Sequence, residues 1–280
     1  MPERLQFARL PLTGTLAAHA ESCWFMRGAS AAALPDGHRI LPDGCMEFVF
    51  QLGAPFLERN ADGGWTEQPV RLLVGQMTKR VEVRPAGEID TVGLHFRPAG
   101  AAAFVDGSMK RFLDRIVDLD DVLGEDLVPL AARLREARSN SSRRTLLLAW
   151  LQTRLRPSDA LMAEASQRLQ QASGHLDIAG LGQALGLGER QLRRRFEAAV
   201  GVAPKRFARL LRFQRVFEQQ RESDATAWAQ VALECGYFDQ AHFNRDFRAF
   251  SGIAPRRLLA DADPLTAFFL SVSSKISETT

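Results

Sequence analysis

The sequence predicts an α+β chain: a small β-barrel-like N-terminal domain with helices, then an all-α domain of two similar helical units joined by a long helix. Three observations predict it. Short strand candidates separated by Pro and Gly fill the first hundred residues. Helical spacing takes over after Pro98. A block of about fifty residues then recurs within the C-terminal half.

The strands come first. Met46-Glu47-Phe48-Val49-Phe50-Gln51-Leu52 alternates in part and follows the turn signal Pro42-Asp43-Gly44. Val70–Met77 and Thr91–Phe96 are two further candidates, and Val81-Glu82-Val83-Arg84 ends at Pro85. Beyond Pro98, Ala99–Val105 reads as one or two helical turns. Leu119–Arg138 and Ser141–Leu155 have helical spacing, with Ser139-Asn140-Ser141-Ser142 between them. Leu146, Leu147, Trp150 and Leu151 form an apolar face, which fits packing on the chain's own barrel or on a second copy. Arg156-Pro157-Ser158-Asp159 is the expected boundary, with Ser158 or Asp159 capping the next helix. The expected domains are therefore 1–156, 160–260 and a poorly ordered tail, 261–280.

Composition narrows the function. With 46% apolar and 25% charged residues, the 280-residue chain is neither disordered, nor collagen-like, nor a disulfide-stapled miniature. No apolar run reaches the roughly 18–20 residues that span a bilayer, and Met1–Leu12 has no signal core, so a cytoplasmic protein without membrane association is expected. Cys23, Cys45 and Cys235 are scattered and read as reduced thiols. From Leu176 to Ala260 there are 14 Lys/Arg against 9 Asp/Glu, on a chain whose net charge is only +3. A basic C-terminal part on a slightly acidic remainder points to a polyanionic partner.

The repeat has a physical reading. Leu192, Arg194, Phe196 and Gly201-Val202-Ala203-Pro204 return 51 residues later as Phe243, Arg245, Phe247 and Gly252-Ile253-Ala254-Pro255. Upstream, Leu181, Gly182, Gly186 and Leu187 return at an offset of 50 as Val231, Ala232, Gly236 and Tyr237. Each unit is a short apolar helix, a glycine that ends it in the left-handed conformation, and a second helix with three apolar residues inward. That layout is a helix-turn-helix, whose second helix enters a major groove. In the second unit Trp228–Glu234 is the first helix and Asp239–Phe250 the second, with Asp239 placed as its N-cap. A helix from Pro204 to about Gln220, roughly 25 Å long, links the units. Successive major grooves lie about 34 Å apart, so such a spacer suits two reading helices on one face of a duplex.

Residues 160–260 resemble the DNA-binding domain of AraC/XylS-type transcription activators. Gly236-Tyr237-Phe238-Asp239-Gln240-Ala241-His242-Phe243, Arg245-Asp246-Phe247 and Gly252-Ile253-Ala254-Pro255 carry the resemblance in the second unit. Leu185-Gly186-Leu187, Leu192, Arg194, Phe196, Gly201 and Pro204 carry it in the first. Gly182 and Gly188 depart from it, standing where the family usually has an alanine and a Ser/Thr cap, and are expected to weaken the first unit. More loosely, Leu41-Pro42-Asp43-Gly44, Glu47-Phe48-Val49-Phe50, Val74-Gly75-Gln76 and Gly93-Leu94-His95-Phe96-Arg97-Pro98 resemble the barrel-like N-terminal domain of one AraC-type subgroup. The resemblance implies an activator with double-stranded DNA, RNA polymerase, a small-molecule effector and a second copy of the chain as partners.

Arginine reads guanine edges and Asn or Gln reads adenine, so Arg190, Arg193 and Arg194 in the first unit and Gln240, Asn244 and Arg245 in the second are the expected base contacts. An arginine at 194 or 245 also fits a role holding a carboxylate within the domain. His242 reads as a packing or capping residue, and Arg206 or Arg209 as a backbone contact or a solvated face. No catalytic signature is present, and an enzyme is not expected. The five histidines form no His-x-His, so no metal and no cofactor are expected, although Glu47, His38 and His95 are the residues that could meet in space. The alternative reading is a metal- or ligand-binding barrel protein, or an adaptor, whose helical domain does not read DNA.

Overall fold

The computed structural model describes residues 5–28, 37–124, 126–222 and 232–255. Ten strands build the N-terminal part: β1 (Gln6–Pro11), β2 (Ala20–Gly28), β3 (His38–Ile40), β4 (Glu47–Gln51), β5 (Phe56–Arg59), β6 (Trp65–Glu67), β7 (Arg71–Val74), β8 (Val81–Pro85), β9 (Ile89–Phe96) and β10 (Ile116–Asp118). They form two antiparallel sheets, ordered β1-β2-β9-β4-β7-β10 and β3-β8-β5-β6.

Strand β4 shows how the layers are organised. Every residue from Glu47 to Gln51 is buried, because both faces of the strand are covered. Phe48 and Phe50 point away from the smaller sheet, into a core shared with the helices. Glu47, Val49 and Gln51 point towards it. Burial on both faces is why the alternation in the sequence is only partial.

Eight helices follow among the described residues: α1 (Leu119–Leu123), α2 (Val128–Glu136), α3 (Asn140–Gln152), α4 (Ala160–Gln171), α5 (Ile178–Ala184), α6 (Glu189–Val200), α7 (Pro204–Glu222) and α8 (Gln240–Ser251). The single helix expected over Leu119–Arg138 is two, because Gly124 adopts φ +64° and closes α1. The polar run expected to separate helices does so and also starts the second one: Ser139 caps α3 by accepting from the Ser142 amide. In α3, Leu147 and Leu151 are fully buried, and Trp150 packs edge-on against Phe48 and Phe50. The apolar face of α3 thus goes to its own sheet. Arg143, 2% exposed, is held there by the Asp90 carboxylate and the Leu134 carbonyl.

Asp159 caps α4, as its position predicts. Two helical cores follow. Leu181, Leu187, Leu192, Phe196 and Phe207 belong to one, which reaches α4 and Ala99. The other is aromatic: Phe213, Phe217, Tyr237, Phe243, Phe247 and Phe250 stack around α7 and α8. Helix α7 contributes to both, and at 19 residues it is about 28 Å long. Part of the second unit's first helix, Trp228–Val231, and the tail 261–280 lie outside the described residues.

The helical part rests directly on the sheets. Lys110 Nζ donates to Glu197 of α6 at 2.6 Å, and Gly201 lies against Gln76 and Met109. Arg80 Nη1 donates to the Ser251 carbonyl at 3.1 Å. Leu41 is a member of the aromatic core beside Leu210 and Phe213, and Gln214 Nε2 donates to the Pro42 carbonyl.

Candidate nucleic-acid interface

Each helix-turn-helix is closed by a glycine with positive φ. Gly186 at +66° ends the turn after α5, and Gly236 at +70° holds the same place before α8. An l-residue is strained there whatever the space, which is the physical reason both copies keep glycine. The amide of Leu187 then bonds the Gly182 carbonyl at 2.8 Å, and that of Tyr237 bonds the Ala232 carbonyl at 3.0 Å. The two turns are one geometry used twice.

The second helix of each unit buries its apolar stripe and exposes the predicted readers. In α6, Leu192, Phe196 and Val200 are buried, while Arg190, Arg193 and Arg194 are exposed. In α8, Phe243, Phe247 and Phe250 are buried, Gln240 and Arg245 are exposed and Asn244 is half-buried. At the offset of 51, Ala241, Asn244 and Arg245 stand where Arg190, Arg193 and Arg194 stand. Arg193 is partly engaged, its Nε donating to Glu197 one turn on at 2.9 Å.

The carboxylate-holding role falls to the neighbouring positions, not to Arg194 or Arg245. Arg195 donates twice to Asp159, the α4 cap, at 2.7 and 2.8 Å. In the second unit Asp246 of α8 accepts twice from Arg209 of α7, at 2.7 and 3.1 Å. Arg209 is therefore tied within the domain rather than left as a backbone contact. The Arg195 hydrogen bonds hold the Asp159 carboxyl below the usual range, and Lys110 followed by Arg193 does the same for Glu197. His242 stacks edge-on to Tyr237, with Nε2 3.6 Å from Asp246, a packing position.

The space between the sheets is apolar. A cavity of ≈ 70 Å³ is lined by Trp24, Met26, Leu41, Val49, Phe56 and Leu72 among others. Of the aromatic residues that a barrel interior could have offered, Trp24 lines it. Phe48, Phe50 and Phe96 belong to the core on the other face of the sheet. Trp65 lies under the guanidinium of Arg84.

Beside this cavity the structure assembles a polar group that sequence spacing did not reveal. Glu47 and His95 are directly paired across β4 and β9, and Glu47 Oε1 lies 2.8 Å from His95 Nδ1. Asp43 and Cys45 join them from the preceding loop. His38, paired with Val83 on the smaller sheet, is not part of this set. Asp43, Cys45 and His95 each offer one ligand atom within 4.8 Å of the others, a grouping that the histidine spacing did not reveal. The ligand atoms come from a loop and two strands, and only sheet register brings them together. Burial raises the Cys23 thiol to about 12, Cys45 to about 11 and Cys235 to about 12, so all three are protonated thiols.

Residues 181–261 match the model of a helix-turn-helix domain, and residues 10–118 match a domain of unknown function (DUF6597). No curated protein matches the chain in sequence. Among solved structures, the chain is similar to ToxT from Vibrio cholerae at 9% identity, covering 93% of this chain and 98% of that one, with a TM-score of 0.47. Unsaturated fatty acid-bound wild-type ToxT from strain SCE256 is similar at 10% identity, over 92% and 95% of the chains, with a TM-score of 0.43. The AraC-like transcriptional activator CuxR gives 13% identity, 79% and 82% coverage and a TM-score of 0.33. All three TM-scores lie below 0.5. Two exposed helices, α6 and α8, flank the long α7 and complete a double helix-turn-helix arrangement. Residues 181–261 belong to a helix-turn-helix domain, and residues 10–118 to a domain of unknown function.

Proposed function

We propose that the protein is an activator that places α6 and α8 in neighbouring major grooves, with Arg190, Arg193, Arg194, Gln240, Asn244 and Arg245 reading base edges. The observation that carries this reading is the equivalence of Arg190, Arg193 and Arg194 with Ala241, Asn244 and Arg245 on two copies of one unit. All of them but the half-buried Asn244 are exposed, while the stripe behind them is buried. Arginine in this position is suited to guanine, Asn244 to adenine, and Ala241 to a thymine methyl. The division of labour is 1–156 for sensing and pairing with a second copy and 160–260 for DNA, with RNA polymerase as the further partner and the cytoplasm as its place of action. Among the described residues, no helix is long and apolar enough to cross a membrane.

The effector belongs in the cavity between the sheets. Its lining favours a small apolar molecule, since ≈ 70 Å³ is below the usual size of a drug-like pocket. Leu41 supports a route from that cavity to DNA: it lines the cavity and also packs with Leu210 and Phe213 of α7. An effector changes DNA affinity only if it binds two states differently, and those states differ at the Leu41 contact and at the Arg156–Asp159 hinge.

Selection of bound sequences from random DNA, followed by binding across a salt series, tests the reading. A motif spanning two neighbouring major grooves, with affinity lost for Arg194→Ala, is the expected result. Salt-sensitive binding without a preferred sequence would reduce the basic face to electrostatics.

A further inference from the structure

We propose that Asp43, Cys45, Glu47 and His95 form a binding site for one divalent transition-metal ion of the zinc class, built into the loop on which helix α7 of the DNA-binding domain rests.

The donor set is the first argument. One ligand atom each from Asp43, Cys45 and His95 lies within 4.8 Å of the others. Asp43 Oδ2 is 3.7 Å from His95 Nδ1, and Glu47 Oε1 is 2.8 Å from the same nitrogen. Zinc bonds at about 2.0–2.3 Å in tetrahedral geometry put donors under about 4 Å apart, so small shifts bring the Asp43, Cys45 and His95 atoms onto a metal, and Glu47, which is hydrogen-bonded to His95 but outside that trio, swings in as the fourth ligand. Nitrogen, sulfur and two carboxylate oxygens suit zinc, cobalt or nickel; magnesium and calcium take oxygen alone.

Charge and burial are the second argument. His95 is 1% exposed and Cys45 6%, and the Asp43 and Glu47 side chains are only 20% and 12% exposed. Glu47 is oriented by the Trp24 indole, whose Nε1 donates to Oε1 at 3.1 Å. A third carboxylate, Glu21, stands 3.8 Å from the other imidazole nitrogen, and Arg9 engages it at 3.0 Å. Two carboxylates therefore share one imidazole in a desolvated place, a distribution that a divalent cation balances. Binding would take the Cys45 proton to solvent and leave its thiolate on the metal. Asp43, the most exposed of the four, marks the way in.

Position is the third. The loop Leu41-Pro42-Asp43-Gly44-Cys45 carries two of the ligands and is also the seat of α7. The Asp43 Oδ1 accepts from the Cys45 amide at 2.9 Å, which fixes the turn. Gly44, at φ +92°, lies so close to Phe207 that a Cβ would stand 3.0 Å from its ring. Pro42 accepts from Gln214, and Leu41 packs with Leu210 and Phe213. Any movement of Asp43 or Cys45 onto a metal is felt by the helix that spaces the two reading helices. That consequence rests on the function proposed above; the site itself does not.

The test uses the full chain, stripped with a chelator and titrated with Co2+ as an optical probe. One equivalent of Co2+ should produce tetrahedral d–d bands and a thiolate-to-cobalt charge-transfer band, both displaced by Zn2+. Cys45→Ser should lose the charge-transfer band and His95→Ala the stoichiometric binding, with circular dichroism reporting whether each variant is folded. Cys23→Ser, a buried thiol outside the set, should keep the full spectrum. Absence of a stoichiometric cobalt spectrum in the wild-type chain overturns the site, as does a charge-transfer band that survives Cys45→Ser. DNA affinity at the selected site, measured with and without Zn2+, should change several-fold in the wild type and not in Cys45→Ser. An unchanged affinity overturns the coupling. Failure to bind any DNA overturns the proposed function, while the cobalt spectrum still decides the metal site independently.

Discussion

The two helix-turn-helix units share a backbone plan and differ in how they hold it. The first unit packs mostly aliphatic residues with one aromatic pair, Phe196 against Phe207. The second builds α8 into a cluster of six aromatic rings. Helix α6 starts at Gly188 with no side-chain cap, whereas α8 starts at Asp239, which accepts from the His242 amide at 2.6 Å. The tie between reading helix and support helix is reversed in charge: Arg195 to Asp159 in one, Asp246 to Arg209 in the other. One geometric demand, joining the reading helix to the helix behind it, is met by opposite sequences. Burial sets the consequence. Asp246 is 2% exposed and Asp159 is 28% exposed at the side chain.

That difference gives the largest expected effect. Arg209→Ala leaves the Asp246 carboxylate buried without its bidentate partner, and should cost about 3 kcal/mol. Arg195→Ala leaves a carboxylate that water reaches, and should cost clearly less. Denaturant unfolding of the two variants measures the contrast. Equal losses would mean that burial is not what distinguishes the ties.

At the readers the units should behave alike. Arg194→Ala and Arg245→Ala each remove a candidate base contact, and each should weaken binding to the selected site by about 1–3 kcal/mol with relaxed preference at one position. Fluorescence anisotropy on operator variants provides the numbers. A uniform loss across all sequences, with a shallower salt slope, would reassign that arginine to phosphate.

Acid should separate the units again. Asp159 and Glu197, both serving the first unit, ionise at lower pH in the folded chain than in the unfolded one, Asp159 chiefly through its Arg195 hydrogen bonds and Glu197 through Lys110. Their contribution is therefore complete above the unfolded carboxylate pKa, about 4, and is lost as pH falls through the lower folded value. The first unit should loosen from α4 and from Lys110 on acidification. Melting curves between neutral pH and about pH 3 should show a steeper acid limb for the wild type than for Arg195→Ala. Parallel limbs would remove Asp159 from the account.

The reversed tie also shows how much was legible in advance. The repeat itself, the inward Phe and Leu positions and the Asp239 and Asp159 caps follow from spacing and local chemistry, and the structure has them. The ties were visible in principle: at the repeat offsets Arg195 aligns with Asp246 and Asp159 with Arg209, two opposite-charge exchanges at once. Reading each arginine singly hid that signal. Other features depend on long-range geometry. Gly124 breaks a helix that periodicity alone would continue. The union of Asp43, Cys45, Glu47 and His95 requires the β4–β9 register, which no local pattern in either strand specifies.

The smallest expected effect concerns the two glycines of the first unit. A Cβ added at Gly188 would meet nothing within 4 Å, and the φ of −67° with ψ 155° suits any N-cap residue. Gly188→Ser should therefore stabilise α6 by a few tenths of a kcal/mol, the usual difference between glycine and serine at an N-cap. Gly182 is different. A Cβ there would stand 2.9 Å from the Leu187 carbonyl oxygen, on the backbone of the turn itself, so Gly182→Ala should lose stability despite the better helix propensity of alanine. The two substitutions thus have opposite signs although both replace a glycine by the residue type its counterpart positions favour. Thermal melts of the single variants decide it. A gain for both would mean that the first unit's turn relaxes freely, and that its weaker cap is a matter of composition rather than of close packing between α5 and the turn.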